Sequence, residues 1–101
     1  MNKVNQVIEC LKRYNPEKVI IFGSYVRGEM DECSDLDFVV IKKTKRRFIE
    51  RLIEVAKLIP NDLGKVDVFV YTPEEFKKMR EGKNPFIGQV LKEGKLLYEK
   101  K

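Results

Sequence analysis

The segment IIFGSYVRGEMDECSDLDFVV, residues 20–40, decides the fold of this chain, because it joins two β-rich runs through a polar loop. The loop begins with Gly23 and Ser24 and leads to Asp35 and Asp37, at the start of the second run. Residues two apart along a strand point to the same face of a sheet. We therefore expect the two carboxylates to project together, although this strand otherwise has the composition of a buried one.

Two carboxylates on one face of a strand require a partner. They repel each other, and burying them unpaired costs several kcal/mol. A bound divalent cation removes both problems. Magnesium prefers hard oxygen ligands and commonly takes one or two carboxylates together with the phosphates of a substrate. The pair Asp35 and Asp37 therefore predicts a magnesium site.

A third aspartate interrupts the next apolar run. In KVDVFVY, residues 65–71, Asp67 is the one charged residue within the β-rich part of the segment. A lone carboxylate in a core strand conflicts with the local pattern, whereas three carboxylates on two strands are typical of a single site. If the two strands are neighbours, Asp67 can join Asp35 and Asp37 around one or two metal ions.

The Gly-Ser element at the other end of the loop predicts an anion site. Gly23 allows the backbone to approach a ligand closely. A short helix beginning at Ser24 would direct free N–H groups and the positive end of its dipole at an anion. Arg27, one turn further on, could add a charge-assisted contact. A phosphate cradle facing a carboxylate-bound metal is what phosphoryl or nucleotidyl transfer requires.

Each of these motifs alone also has a structural explanation. Gly-Ser followed by Arg-Gly occurs in ordinary turns, Ser-Asp-x-Asp can cap a helix or end a strand, and Asp67 could pair with a lysine. Their combination, in this order and on these elements, favours a metal–nucleotide site.

Composition narrows the possible chemistry. The chain has 101 residues, 43% hydrophobic and 37% charged, with a net charge of +5, which predicts a single domain over residues 1–101. Histidine is absent from the sequence, which excludes Ser-His and Cys-His nucleophiles. Two cysteines without metal-type spacing indicate a reducing, cytoplasmic location. We see no apolar run suited to a membrane span and no signal peptide pattern.

Hydrophobic periodicity and turn residues predict an α/β (α+β) fold, a small mixed sheet with helices packed against it. Thr44 is the expected N-cap of the central helix, whose expected buried residues are Phe48, Leu52, Val55, Ala56 and Ile59. The basic run at residues 42–47 then falls in the first turn of that helix, either as a solvated turn or as a patch for a partner. The expected elements are helices at 2–14, 24–28, 44–59, 73–82 and 85–92, and strands at 18–22, 35–41, 65–71 and 96–98.

The motifs resemble a known family. GSYVRGEMDECSDLDFVV is similar to the Gly-Ser-x-x-Arg-Gly … Ser-Asp-x-Asp signature of the minimal nucleotidyltransferases, within the polymerase beta-like superfamily, and KVDVFVY resembles the strand that carries the family's third aspartate. The resemblance covers almost the whole chain and implies the polymerase beta-like fold. It further implies the following site roles: Asp35 and Asp37 hold magnesium, Asp67 binds a second metal and helps to deprotonate the acceptor, Gly23 and Ser24 cradle the nucleotide phosphates, and Arg27 contacts a phosphate.

The family resemblance also implies an activity and a partner. Such a protein moves AMP from ATP, with one or two Mg²⁺ ions, to a tyrosine hydroxyl of a helical HEPN-type toxin and so acts as an antitoxin. Two alternatives stay open: a non-catalytic antitoxin that masks its toxin, and an enzyme that modifies a small molecule such as an aminoglycoside. Neither a membrane nor direct nucleic-acid binding is expected.

Overall fold

A computed structural model describes residues 3–23, 26 and 36–100. Apart from residue 26, the predicted short helix at 24–28 lies outside the described residues, as do the predicted site residues Ser24, Arg27 and Asp35. None of the described helices has the length and apolar content to cross a membrane. The elements are α1 (Lys3–Lys12), β1 (Lys18–Phe22), β2 (Leu36–Ile41), α2 (Phe48–Ala56), a 3-10 turn (Asn61–Leu63), β3 (Val66–Tyr71), α3 (Pro73–Glu81), α4 (Pro85–Glu93) and β4 (Lys95–Glu99).

The four described strands form one mixed sheet in the order β3-β2-β1-β4. β1 runs antiparallel to both β2 and β4, whereas β2 and β3 are parallel. β2 therefore lies inside the sheet, which explains why its sequence is apolar at nearly every position. The predicted α/β fold with a small mixed sheet is confirmed.

The two faces of the sheet carry different helices. We call the face of Leu36, Phe38 and Val40 the first face, and it is covered by the apolar residues of α1 together with Val55 of α2. We call the face of Val39 and Ile41 the second face. It packs against Phe76 of α3 and against Phe86 and Val90 of α4. Alternation along β2 therefore places Asp37 on the second face.

Helix α2 begins later than the sequence predicts, at Phe48 and not after Thr44. The Thr44 hydroxyl instead accepts a hydrogen bond from the Arg46 amide at 3.1 Å. The Glu50 carboxylate accepts one from the Arg47 amide at 2.9 Å, so a side chain of the first turn binds the free amide of the N-cap residue. Cations in a first turn oppose the helix dipole, so a start after the basic run is physically favoured.

The buried face of α2 also differs from the prediction. Val55 is buried as expected, but Phe48 is 40% exposed and Ala56 is exposed as well. Arg51, one turn before Val55, is only 5% exposed. The helix therefore turns an arginine toward the sheet where the pattern predicted only apolar residues.

The two C-terminal helices begin and end where the capping and terminating residues of the sequence predict. Thr72 caps α3 by accepting from the Glu75 amide at 3.1 Å, and the helix ends at Gly82. α4 begins with Pro85, and its C-cap is Gly94. A capping hydroxyl, a proline in the first turn and a glycine at the end each fix the backbone locally, so these ends are readable without tertiary information.

Candidate functional site

Two of the predicted carboxylates are brought together by the parallel pairing of β2 with β3. In this register Asp37 is the direct partner of Asp67. Directly paired residues share a face, and adjacent strands lie about 4.8 Å apart. Both aspartates therefore lie on the second face, one strand spacing apart and half-buried. The two strands are therefore neighbours, as a shared site requires, whereas metal binding by these aspartates stays a prediction.

Gly23 follows β1 directly and lies against Asp37. Its φ is +86°, a value that residues with a side chain rarely adopt. A Cβ at this position would lie 2.6 Å from Oδ2 of Asp37. Phe22, the residue before it, is the register partner of Asp37 across the β1–β2 pair. The glycine therefore does more than permit a turn, because its missing side chain makes room for the carboxylate.

The chain turns sharply after Gly23, since the Val26 amide donates to the Gly23 carbonyl at 3.1 Å. Val26 is half-buried and packs against the core of the first face. Val26 is therefore held both by Gly23 and by the core. The roles of Ser24, Arg27 and Asp35 stay predictions, because these residues are not among those described.

An aromatic cluster borders the two carboxylates on the second face. The rings of Phe22, Phe69 and Phe86 have centroid separations of 6.5, 5.4 and 5.4 Å, and two of the three contacts are edge-on. Phe22 is paired with Asp37, and Phe69 lies two residues beyond Asp67 on the same face. This wall lowers the local polarity, which strengthens the attraction between the carboxylates and a cation. The sequence analysis missed it, although Phe22 is paired with Asp37 and Phe69 alternates with Asp67; Phe86 comes from α4.

A buried arginine braces the strand that carries Asp67. Arg51 of α2 contacts Glu75 of α3 through two bonds, with distances of 2.6 and 3.2 Å between nitrogen and oxygen. It also donates to the carbonyl of Val70 in β3 at 3.2 Å and to that of Arg46 at 2.8 Å. Hydrogen bonds from Arg51 hold the pKa of Glu75 below its usual value. Arg51 was missed because an arginine in an amphipathic helix normally indicates the solvent face.

The donor set fits a hard divalent cation. Asp37 and Asp67 offer carboxylate oxygens from adjacent strands, and the absence of a side chain at Gly23 accommodates the carboxylate of Asp37. Such oxygens are the ligands that magnesium prefers. Among the described residues no group of three acidic, histidine or cysteine side chains is close enough to hold a metal ion. The third carboxylate expected from the sequence, Asp35, is not one of these residues.

The basic run at residues 42–47 is largely engaged within the molecule. This supports its interpretation as a solvated turn, because a patch reserved for a partner would keep its charges unpaired. Burial lowers the pKa of Lys42. The contacts are Lys42 with the carbonyl and ring of Tyr14, Lys43 with Glu17, and Arg46 and Arg47 with Glu50.

Comparisons with known proteins identify the family of this chain. The family model described as "Polymerase beta, Nucleotidyltransferase" matches residues 5–101. Two candidate protein adenylyltransferases of Methanocaldococcus jannaschii are each 30% identical to the chain, one over 84% of this chain and 92% of the relative, the other over 94% of both. The chain belongs to the polymerase beta family of nucleotidyltransferases, which confirms the family and the enzyme class expected from the sequence.

Solved structures show the same fold. A toxin-antitoxin complex crystallised with AMP-PNP contains a chain that is 25% identical, with a TM-score of 0.70, a match covering 100% of this chain and 76% of that one. A mutant of the toxin-antitoxin pair MntA-HpeT gives 25% identity and a TM-score of 0.67, over 100% of this chain and 75% of the other. A candidate nucleotidyltransferase from Sulfolobus solfataricus is 25% identical, with a TM-score of 0.63, and the match covers 95% of this chain and 76% of that one.

Proposed function

We propose that this nucleotidyltransferase transfers AMP from ATP to a hydroxyl group of a partner protein, as the antitoxin of a toxin-antitoxin pair. The observation that carries the proposal is the pairing of Asp37 with Asp67 on one face, with Gly23 directly against the carboxylate of Asp37 where a side chain would clash. Relatives named as candidate protein adenylyltransferases support a protein acceptor. The toxin-antitoxin complex with AMP-PNP supports both the nucleotide and the toxin partner.

The site residues divide between nucleotide and acceptor. Asp37, together with Asp35, would hold magnesium, and the bound metal would supply charge neutralisation at the triphosphate. Gly23 and Ser24 cradle the phosphates, and Arg27 adds a contact to them. Asp67 comes from the neighbouring strand and faces the acceptor.

The proposed reaction is an in-line displacement. The acceptor oxygen forms a bond to the α-phosphorus, the bond from that phosphorus to the oxygen bridging to the β-phosphorus breaks, and pyrophosphate leaves. The hydroxyl proton passes to the carboxylate of Asp67. A tyrosine of a HEPN-type toxin is the proposed acceptor. Its pKa of about 10 leaves little phenolate at neutral pH, so assistance by a base is commonly worth about 10²–10⁴-fold in rate.

The test compares two aspartates that differ only in location. Asp67→Asn should bind magnesium-ATP within a few-fold of the parent and lose nearly all transfer, because Asp67 acts on the acceptor. Asp62→Asn, in the exposed 3-10 turn, should keep both. Calorimetry measures ATP binding, and the intact mass of a HEPN-type protein after incubation with the chain, ATP and magnesium measures transfer.

Three results would count against the proposal. Full transfer by Asp67→Asn would return Asp67 to a structural role. Neutralisation of the toxin without any gain of AMP mass would favour masking by binding, and transfer to an aminoglycoside in place of the protein would make the chain a small-molecule enzyme.

A further inference from the structure

Strand β3 forms an edge of the described sheet, and its outward backbone groups can be identified from the ladder. The Leu36 amide donates to the Lys65 carbonyl, and the Lys42 amide donates to the Tyr71 carbonyl. In a parallel strand the N–H and C=O of one residue point to the same side, and the side alternates with each residue. Odd-numbered residues of β3 therefore face β2, and the groups of Val66, Val68 and Val70 point away from it.

The molecule closes one end of this edge and leaves the other end open. The outward carbonyl of Val70 accepts from the buried guanidinium of Arg51. No backbone hydrogen bond outside the ladder involves Val66 or Val68 within residues 3–23, 26 and 36–100. Unpaired edge groups are a ready template for another strand, and proteins normally cover them.

A groove runs beside the open part of the edge. It has a volume of about 380 Å³ and lies between β3 and the C-terminal half of α2. Its walls are mainly apolar, and Asp67 is among the residues that line it. The apolar wall residues include Leu52, Val55, Ala56, Ile59, Val66 and Val68.

We infer that the open edge of β3 binds an extended segment of the protein acceptor, which adds a strand to the sheet at Val66 and Val68. This inference rests on the proposed function, which it deepens by assigning the surface that receives the acceptor. The required occupant is an extended chain, because alternating backbone donors and acceptors are paired by nothing else of that length. A second copy of this chain is disfavoured, since both copies would carry a net charge of +5.

Pairing at this edge places the acceptor beside the carboxylates. A residue opposite Asp67 lies about 5 Å away and directs its side chain to the second face, where Asp37 also lies. Residues opposite Val66 and Val68 direct their side chains to the first face, into the apolar groove. The segment that docks here therefore alternates apolar residues with polar ones, and the hydroxyl to be modified belongs to the polar set.

Amide hydrogen exchange of the whole chain, without ATP or metal, tests the inference. The probe is a short acetylated peptide of alternating valine and threonine, with a central tyrosine and a glutamate at each end. At millimolar concentration it should slow exchange at Val66 and Val68 by about tenfold or more. Exchange that is unchanged at both amides, or slowed instead on β4 (Lys95–Glu99), overturns the inference. Slowing that appears without peptide as the protein is concentrated shows a second copy to be the occupant and also overturns it.

Two peptide controls test backbone pairing directly. The same peptide is N-methylated at alternate residues, in either of the two possible phases. One phase removes the donors that face β3 and should abolish protection, whereas the other removes donors that face solvent and should bind like the parent peptide. Equal behaviour of the two phases overturns strand pairing, because side-chain contacts alone do not distinguish them.

Variants of Val68 test the same point from the side of the protein. Val68→Pro removes the outward N–H without touching the ladder to β2, whereas Val68→Thr keeps this N–H with a side chain of the same shape. Peptide binding should fall about tenfold or more in the proline variant and stay within a few-fold in the threonine variant. If the proline variant does not fold, the two methylated peptides decide the question. If the parent chain shows peptide protection but transfers no AMP, the proposed function alone is refuted. If the parent chain transfers AMP but shows no peptide protection, binding at the edge of β3 alone is refuted.

Discussion

Gly23→Ala should damage the site and the stability of the fold by two separable effects. At φ +86° an alanine is strained by about 1–2 kcal/mol, which lowers the melting temperature of a domain of this size by about 5–15 °C. The new Cβ would also lie 2.6 Å from Oδ2 of Asp37, where ordinary contact begins at 3.4 Å, so the carboxylate must shift by about 0.8 Å. A displacement near 1 Å can cost about 10²-fold in rate.

Gly64→Ala is the matched control for this prediction. Gly64 has a φ of +81° and a ψ of −158°, so the backbone strain of an alanine there is at least as large. Its Cβ would lie 2.9 Å from Nζ of Lys3, the far end of a flexible side chain that can move away cheaply. We therefore expect the control to lose as much stability but to keep its affinity for nucleotide.

Thermal unfolding and calorimetry with magnesium-ATP separate the two effects. Gly23→Ala should bind magnesium-ATP at least about tenfold more weakly than Gly64→Ala, although the two proteins melt at similar temperatures. Equal affinities in the two variants would refute the reasoning, because strain alone would then explain Gly23. Magnesium-ATP titrated into the parent gives the reference for both.

Three further predictions concern the brace and the metal. Arg51→Met removes the donor to two backbone carbonyls and to the Glu75 carboxylate. Calorimetric unfolding should show a free energy of unfolding lower by about 3 kcal/mol. A decrease below about 1 kcal/mol would contradict the bracing role. Arg51 lowers the pKa of Glu75 from its usual 4.5, so this pair stabilises the fold fully above pH 4.5. The contribution is lost as the pH falls through the lower pKa of the folded state. Melting temperatures measured against pH should show this loss in the parent and not in Glu75→Gln. Asp37→Asn should no longer gain melting temperature from magnesium with ATP, and a gain equal to that of the parent would remove Asp37 from the metal site.

Local chemistry made several elements readable from the sequence. Thr72 with a following proline, and the glycines at 82 and 94, each determine the backbone within a few residues, and both helices end where they indicate. The start of α2 was misread because Thr44 and Glu50 both offer a cap, and only the competition between them decides. The sequence alone does not indicate which backbone amide the Thr44 hydroxyl or the Glu50 carboxylate will bind.

The contacts that complete the site depend on distant parts of the chain. The sequence predicted that Asp37 and Asp67 could share a site, but their register arises from parallel pairing across a long connection. The close approach of Gly23 to Asp37 likewise depends on how β1 lies against β2. Arg51 was unpredictable for a related reason, since its three acceptors come from a loop, a strand and another helix.

The unequal use of the two faces of the sheet has a consequence for how this chain can vary. The largest apolar cluster packs on the first face, under α1, whereas Asp37, Asp67 and the phenylalanine wall lie on the second. Volume-conserving changes at positions such as Val7 or Leu11 therefore alter the stability of the fold without reaching the candidate site. A laboratory selection for heat resistance should accumulate substitutions beneath α1 and leave turnover intact, so that this small enzyme can drift in sequence on one side while its chemistry is held on the other.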